Sequence, residues 1–326
     1  MPTADRFKLI ACFAAVYLIW GSTYLAIRVA VATIPPFLMM GTRFLLAGAL
    51  IAGWLAATRG LPATARQWRD NAIVGAALLL GGTGLVAWAE QQIPSGIATL
   101  IISVGPLFFV LLEWAHPRGH RPTALTFFGL ALGFGGLLLL VSPGNAGAQT
   151  PLNPARVVGL VFACISWAAG SIYSRHLRAP ADPMTGAAIQ MLMGGVWLTL
   201  VAIGRGEVAE VRATLELGEF FPASAVWAWL YLVVAGSLVA FPAYVWLLKH
   251  TSAARASTYA YVNPVVAVFL GWLILHETVT ARTLVAAAVI IAAVAIITYQ
   301  KGRTPEPAVQ GRTPPLPVLK PRGADA

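Results

Sequence analysis

The chain has 326 residues, of which 58% are hydrophobic and 10% charged, whereas a soluble domain carries about 25% charged residues. A soluble globule of this size cannot hide so much apolar surface, which excludes soluble enzymes, nucleic-acid modules and disordered proteins and predicts an all-α, polytopic membrane protein. The net charge of +10 then belongs to basic loops on one membrane face and implies no nucleic-acid partner.

A spanning helix needs about 20 mostly apolar residues. Ten runs qualify: 9–31, 36–58, 71–89, 95–114, 123–142, 156–176, 185–204, 225–247, 256–275 and 282–300. The first is too long for a cleaved signal peptide and has no small-x-small site before Arg28, so it is expected to be retained. Short connections with turn residues, such as Pro35-Pro36 and Pro94-Ser95-Gly96, predict antiparallel neighbours. Cys12 and Cys164 each sit in an apolar run and read as packing residues, so no disulfide or metal framework is expected. The longest outer loop, 205–221, contains Glu207, Glu210, Glu216 and Glu219, which read as a solvated face. The proline-rich tail, 301–326, is expected to be disordered.

Of the 22 Lys and Arg residues, 16 fall at the amino end, in the loops after even-numbered spans and in the tail. Arg156, Arg205, Arg212 and Arg282 fall on the opposite side, and Arg28 and Arg43 lie inside spans. The positive-inside rule therefore predicts that both termini are cytoplasmic.

The two halves show weak internal similarity. Trp20-Gly21-Ser22-Thr23-Tyr24 in span one parallels Trp167 and Gly170-Ser171-Ile172-Tyr173 in span six, and Pro106 and Pro264 each precede a tryptophan by eight residues, Trp114 and Trp272. Five spans per half is an odd number, so the halves cross the membrane in opposite senses. Such an inverted repeat predicts a substrate site near mid-membrane, between the halves.

Ile19-Trp20-Gly21-Ser22-Thr23-Tyr24, Arg43-Phe44, Pro94-Ser95-Gly96-Ile97-Ala98, Ser166-Trp167-Ala168 and Tyr259 to Ala267 with His276-Glu277 resemble the EamA-type transporters of the drug/metabolite transporter superfamily, with the nearest likeness to YedA-like exporters. The resemblance implies ten transmembrane helices as two inverted five-helix EamA repeats, 8–142 and 156–300. It also implies a bacterial inner-membrane location and export of amino acids, metabolites or drugs. The acidic residue that the family carries after the fourth helix of each repeat is matched by Glu277, whereas the equivalent position in the first half is Gly119.

A charged residue near a helix centre costs about 2.5–3.5 kcal/mol on insertion scales. Arg28 and Arg43 either reach the interface or pair with Glu90, or else form a cationic end to a substrate cavity that attracts a carboxylate. No acidic residue occupies mid-depth, since Glu90, Glu113 and Glu277 stand at helix ends, which disfavours a central carboxylate exchanging protons for cationic drugs. Trp20, Ser22, Tyr24, Trp88, Ser103, Trp167, Ser171, Tyr173, Tyr244, Tyr259, Tyr261 and Asn263, with Arg43, are candidates to line an amphipathic cavity for a small-molecule substrate; ordinary helix packing or an interfacial aromatic belt is the alternative. Pro106 and Pro264 are candidate helix breaks that free backbone carbonyls, and Asn263 stands beside the second. Gly129 and Gly133, and Ala288 and Ala292, have the small-xxx-small spacing of close helix packing.

Catalytic motifs find no support: His276-Glu277 lacks a second histidine, since Thr280 stands there, and no phosphate-binding loop occurs. No cofactor is expected. The sequence reading is a secondary exporter working by alternating access, with an uptake carrier or facilitative channel as the alternative; membrane lipids are the surroundings, and oligomeric state is left open.

Overall fold

A computed structural model describes residues 3–115, 121–142, 152–175, 177, 182–250 and 258–301. Among these residues all regular structure is helical. Nine helices are long and apolar enough to cross a membrane: Phe7–Ala30, Pro36–Thr58, Ala65–Glu90, Ser95–Ala115, Ala124–Val141, Pro154–Ser174, Pro183–Gly204, Ala223–Tyr244 and Ala281–Tyr299. They are numbered here as spans one to eight and the last span. A shorter apolar helix, Tyr259–Leu275, lies where a further span was expected. The positions Gly119 and Gly144, and the tail beyond Lys301, lie outside the described residues.

The third span starts earlier than its apolar run at 71. Thr64 accepts from the Gln67 amide while Gln67 returns a bond to the Thr64 N–H, a reciprocal capping box that starts the helix at Ala65. The added turn is polar, and its buried members are partnered: Asp70 by Arg69 at 2.9 Å and Asn71 by Gln190 at 2.8 Å. The short helix ends where His276 turns left-handed at φ 53° and the Glu277 N–H donates to the Gly271 carbonyl.

The segment 205–221 is not simply a solvated face. It forms a helix, Glu207–Glu216, in which Arg212 pairs with an exposed Glu216 at 2.7 Å, but Glu207 is buried and accepts from the Leu38 N–H at 2.8 Å. A carboxylate there satisfies a free donor in the first turn of the second span.

The ends of odd-numbered spans and the starts of even-numbered ones meet on one face. Arg28 of span one donates to the Glu90 carbonyl at the end of span three, and Arg156 of span six donates to the Trp88 carbonyl. Asn153 bonds Gln92 at 2.7 Å, and Arg282 of the last span donates to the Leu139 carbonyl at 2.7 Å. Glu277 accepts from the Ser95 N–H at 2.7 Å, from its hydroxyl at 2.9 Å and from the Gly96 N–H at 3.1 Å.

Lipid tails are as apolar as leucine, so helix association depends on close packing. Spans two and seven touch through glycine: a Cβ on Gly195 would lie 2.8 Å from the Leu45 backbone nitrogen, and one on Gly48 would lie 2.9 Å from that of Leu192. Gly129, Gly133 and Gly136 of the fifth span pack on Ile297, Ala293 and Ile290 of the last, as the small-residue spacing suggests. Ala288 and Ala292 do not take part; they are exposed, and the buried stripe of the last span is Ala286, Ile290, Ala293 and Ile297.

Candidate functional site

Three spans widen locally from α to π geometry, over Ala15–Ile19, Ala76–Gly84 and Leu232–Val239. Such turns release carbonyls from the regular ladder, and in lipid a released carbonyl needs a protein donor. Each stretch receives one from another helix. Trp20 Nε1 donates to the Gly236 carbonyl at 3.3 Å, and Ser166 Oγ donates to that of Ala77 at 2.8 Å. With its amide nitrogen turned toward the carbonyls, Asn263 donates to Tyr17 and Tyr259, each at 3.2 Å.

Two of these wide turns frame a polar patch between spans one, two and eight and the short helix. Arg43, 6% exposed, is buried among the helices. Its Nε donates to Ser237 Oγ at 3.2 Å, and its guanidinium lies over the Phe44 ring at 4.7 Å. Gly236 admits it: a Cβ there would fall 2.9 Å from Arg43 Nη2 and 3.3 Å from Thr23 Cγ2. Among the described residues no carboxylate lies within ion-pair distance of Arg43.

Across the Gly236 turn from Arg43 stands Trp20. Its ring centroid is 5.1 Å from those of Tyr244 and Tyr259, which are 5.7 Å apart and perpendicular. The three rings pack against one another as a box, in one cluster with Val16 and Leu247. Tyr17 Oη meets Thr258 Oγ1 at 2.5 Å beside it, and Ser22 Oγ meets Tyr231 Oη at 2.6 Å. Among the described residues Arg43 is thus a cation without a counter-charge, next to an aromatic box.

The structure thus brings together Trp20, Arg43, Tyr244, Tyr259 and Asn263, while Ser22 meets Tyr231 in an exposed contact apart from them. The remaining candidates sit elsewhere. Tyr24 packs into the core shared by spans three to six and the last span, and Tyr261 donates to the Val294 carbonyl at 3.3 Å. Trp88 lies under the Arg156 guanidinium at 4.0 Å and against Gly159. Ser103 is buried and donates to its own helix at Thr99. Trp167 packs on Gly82 of the third span, Ser171 donates to the Trp167 carbonyl at 2.7 Å, and Tyr173 is exposed. The fourth span is interrupted at Ser103–Val104 and resumes at Gly105, immediately before Pro106, whereas Pro264 lies within an uninterrupted helix. Sequence reasoning missed Tyr17, Gly236 and Ser237. The signal for Ser237 was a hydroxyl beside a glycine in an otherwise apolar run.

Below the aromatic box, a cavity of about 500 Å³ is lined by Leu50, Trp54, Arg59, Asp182, Pro242 and Trp246 among others. A second, of about 310 Å³, lies between Thr33 and Pro35 and the loop helix. Among the described residues no cluster of His, Cys, Asp or Glu could hold a metal.

Stacked apolar spans enclosing a buried polar patch define a polytopic membrane protein with an internal polar site. Comparison with known proteins supplies the family. A model of the EamA-like transporter family matches residues 7–142 and 156–299, and the chain belongs to that family. It is a family of transporters, not of enzymes. The chain is 38% identical over 288 residues to the "uncharacterized inner membrane transporter YedA" of Escherichia coli (strain K12), covering 88% of this chain and 89% of that one. It is 26% identical to "Protein PecM" of Dickeya dadantii (strain 3937), covering 86% and 88%. It is also 24% identical to the "uncharacterized transporter YoaV" of Bacillus subtilis (strain 168), covering 91% and 98%. A solved crystal structure with 21% identity aligns with a TM-score of 0.58 over 92% of this chain and 99% of that one, a likeness of fold.

Proposed function

We propose that this protein is a secondary transporter that exports small amphipathic metabolites, amino acids or drugs across the bacterial inner membrane. In this reading the helix Tyr259–Leu275 is a tenth crossing, and residues 8–142 and 156–300 form two inverted five-helix repeats that rock about a central site. Both termini are cytoplasmic. The name of the YedA relative supports the inner-membrane location, and the two separate family matches are consistent with two repeats.

The observation that carries the reading is Arg43: a buried guanidinium with a hydroxyl and a ring as neighbours but no carboxylate among the described residues. Burying a charge without a counter-charge is costly, and the anionic group of a substrate offsets that cost. The ring box then takes the apolar part of the same molecule.

The test is transport of matched carboxylate and amide compounds by Arg43 variants. Arg43→Lys keeps the charge but loses the planar fork, so carboxylate transport falls while membrane abundance persists. Arg43→Gln costs carboxylates about tenfold or more in apparent affinity, since a hydrogen bond to a charged group is worth about 1.5–3 kcal/mol, and spares the amides. Equal losses for both compound classes, or full activity with lysine, would exclude carboxylate recognition by Arg43.

A further inference from the structure

Glu90 closes the third span and is fully buried, at 0% exposure, yet among the described residues neither of its carboxylate oxygens has a hydrogen-bond partner. Arg28 reaches the same place but donates to the Glu90 backbone carbonyl. Glu277 also lies close enough to act electrostatically on Glu90. Its two oxygens take three donors from Ser95 and Gly96 at the start of the fourth span. Gly271 makes room for this contact, since a Cβ there would stand 2.5 Å from Glu277 Oε2.

Glu277 is only partly buried, whereas Glu90 is fully enclosed. The backbone and hydroxyl donors at the start of the fourth span all go to Glu277. Glu90 has neither, and a buried carboxylate without a hydrogen-bond donor is far costlier than a neutral acid. The other titratable or charged groups around Glu90 are Arg28 and Tyr24 from the first span and Arg156 from the sixth, whose guanidinium is engaged by the Trp88 carbonyl and Gln91 Oε1. The fourth span contributes Ser95, which does not titrate.

We propose that Glu90 is a proton-binding site, occupied while the cap of Glu277 on Ser95 and Gly96 is closed. The proton forms an O–H bond at one Glu90 carboxyl oxygen; when the cap opens, water enters, that bond breaks and the proton passes to the water. The cap joins the short helix to the fourth span, so on the transport reading above, on which this consequence rests, separation of the two repeats at this end exposes and discharges the site. Proton binding itself needs no cargo and is tested without one.

The experiment is infrared spectroscopy of the purified protein in lipid at a series of pH values, reading the carboxylic-acid carbonyl band. Carbon-13 labelling of glutamate assigns the band in the unmutated chain. The wild type is expected to show a glutamic-acid band at pH 7 that disappears as the pH is raised. Glu90→Gln, a neutral replacement of the same shape, loses the band. Glu277→Gln removes the neighbouring carboxyl and moves the band's disappearance to lower pH. A wild-type spectrum without a glutamic-acid band at pH 7 overturns the proposal, as does a band that survives in Glu90→Gln or one whose titration Glu277→Gln leaves unmoved. Failure here leaves the carboxylate test of Arg43 untouched, and failure there leaves this band in place.

Discussion

Arg43, Glu90 and Glu207 are three ionisable residues in apolar surroundings, and each meets the cost of burial differently. Arg43 has a hydroxyl and a ring, Glu90 has no partner at its carboxylate among the described residues, and Glu207 has the Leu38 N–H and Arg205 at 3.5 Å. For Glu207, outside the spans, burial pushes the carboxyl above its ordinary value of 4.5, against the opposing pull of the Leu38 amide and Arg205. The folded protein therefore keeps this proton over a pH window in which the unfolded chain has released it. Its contribution to stability is fully present below the unfolded value and declines as the pH rises through the folded one. The thermal midpoint of the wild type relative to Glu207→Gln is expected to fall as the pH is raised through the window just above 4.5. A difference that does not change with pH across that window would contradict the shift.

Among the helices, the wide turns and the glycine contacts do opposite work. The wide turns release carbonyls and oblige Trp20, Ser166 and Asn263 to reach across to other spans. The glycines remove side chains so that backbones approach, and the contact of spans two and seven depends on them. Gly195→Ala would place a methyl 2.8 Å from the Leu45 backbone nitrogen, which cannot rotate aside. The expected cost is about 1–3 kcal/mol, the usual range for overpacking, seen as a lower unfolding midpoint in detergent. Gly53→Ala serves as the control, since nothing lies within 4 Å of its Cβ position; its midpoint should match or slightly exceed that of the wild type. Equal effects of the two substitutions would refute close packing as the bond between these spans.

At the scale of the whole molecule, one end of the bundle collects Arg28, Glu90, Arg156, Glu207, Glu277 and Arg282 in contacts between neighbouring helix ends. The opposite end carries Arg59, Arg66, Arg69 and the described start of the chain. On the proposed reading, the end that carries Arg59, Arg66 and Arg69 faces the cytoplasm. Reporter fusions after Gly60 and Lys301 are expected to be active in the cytoplasm, and a fusion after Gly206 in the periplasm. A periplasmic signal at Lys301 would be incompatible with both termini lying inside.

Class, family and most span boundaries were legible in the sequence because they depend on local quantities: run length, apolar fraction, turn residues and the placement of Lys and Arg. The membrane makes these decisive, since a backbone in lipid has to satisfy its own hydrogen bonds. Even so, the polar start of the third span was missed, because a Thr64–Gln67 cap outweighs hydropathy there. Which candidates share a site was not legible at all. Trp20 and Trp167 occupy matching motifs, yet Trp20 meets Tyr244 and Tyr259 while Trp167 packs on Gly82. Ser95 and Glu277 are 182 positions apart and still make one cap. Such pairings depend on helix rotation and on where the ladder widens. Tertiary packing sets both, and no local property of the sequence encodes them.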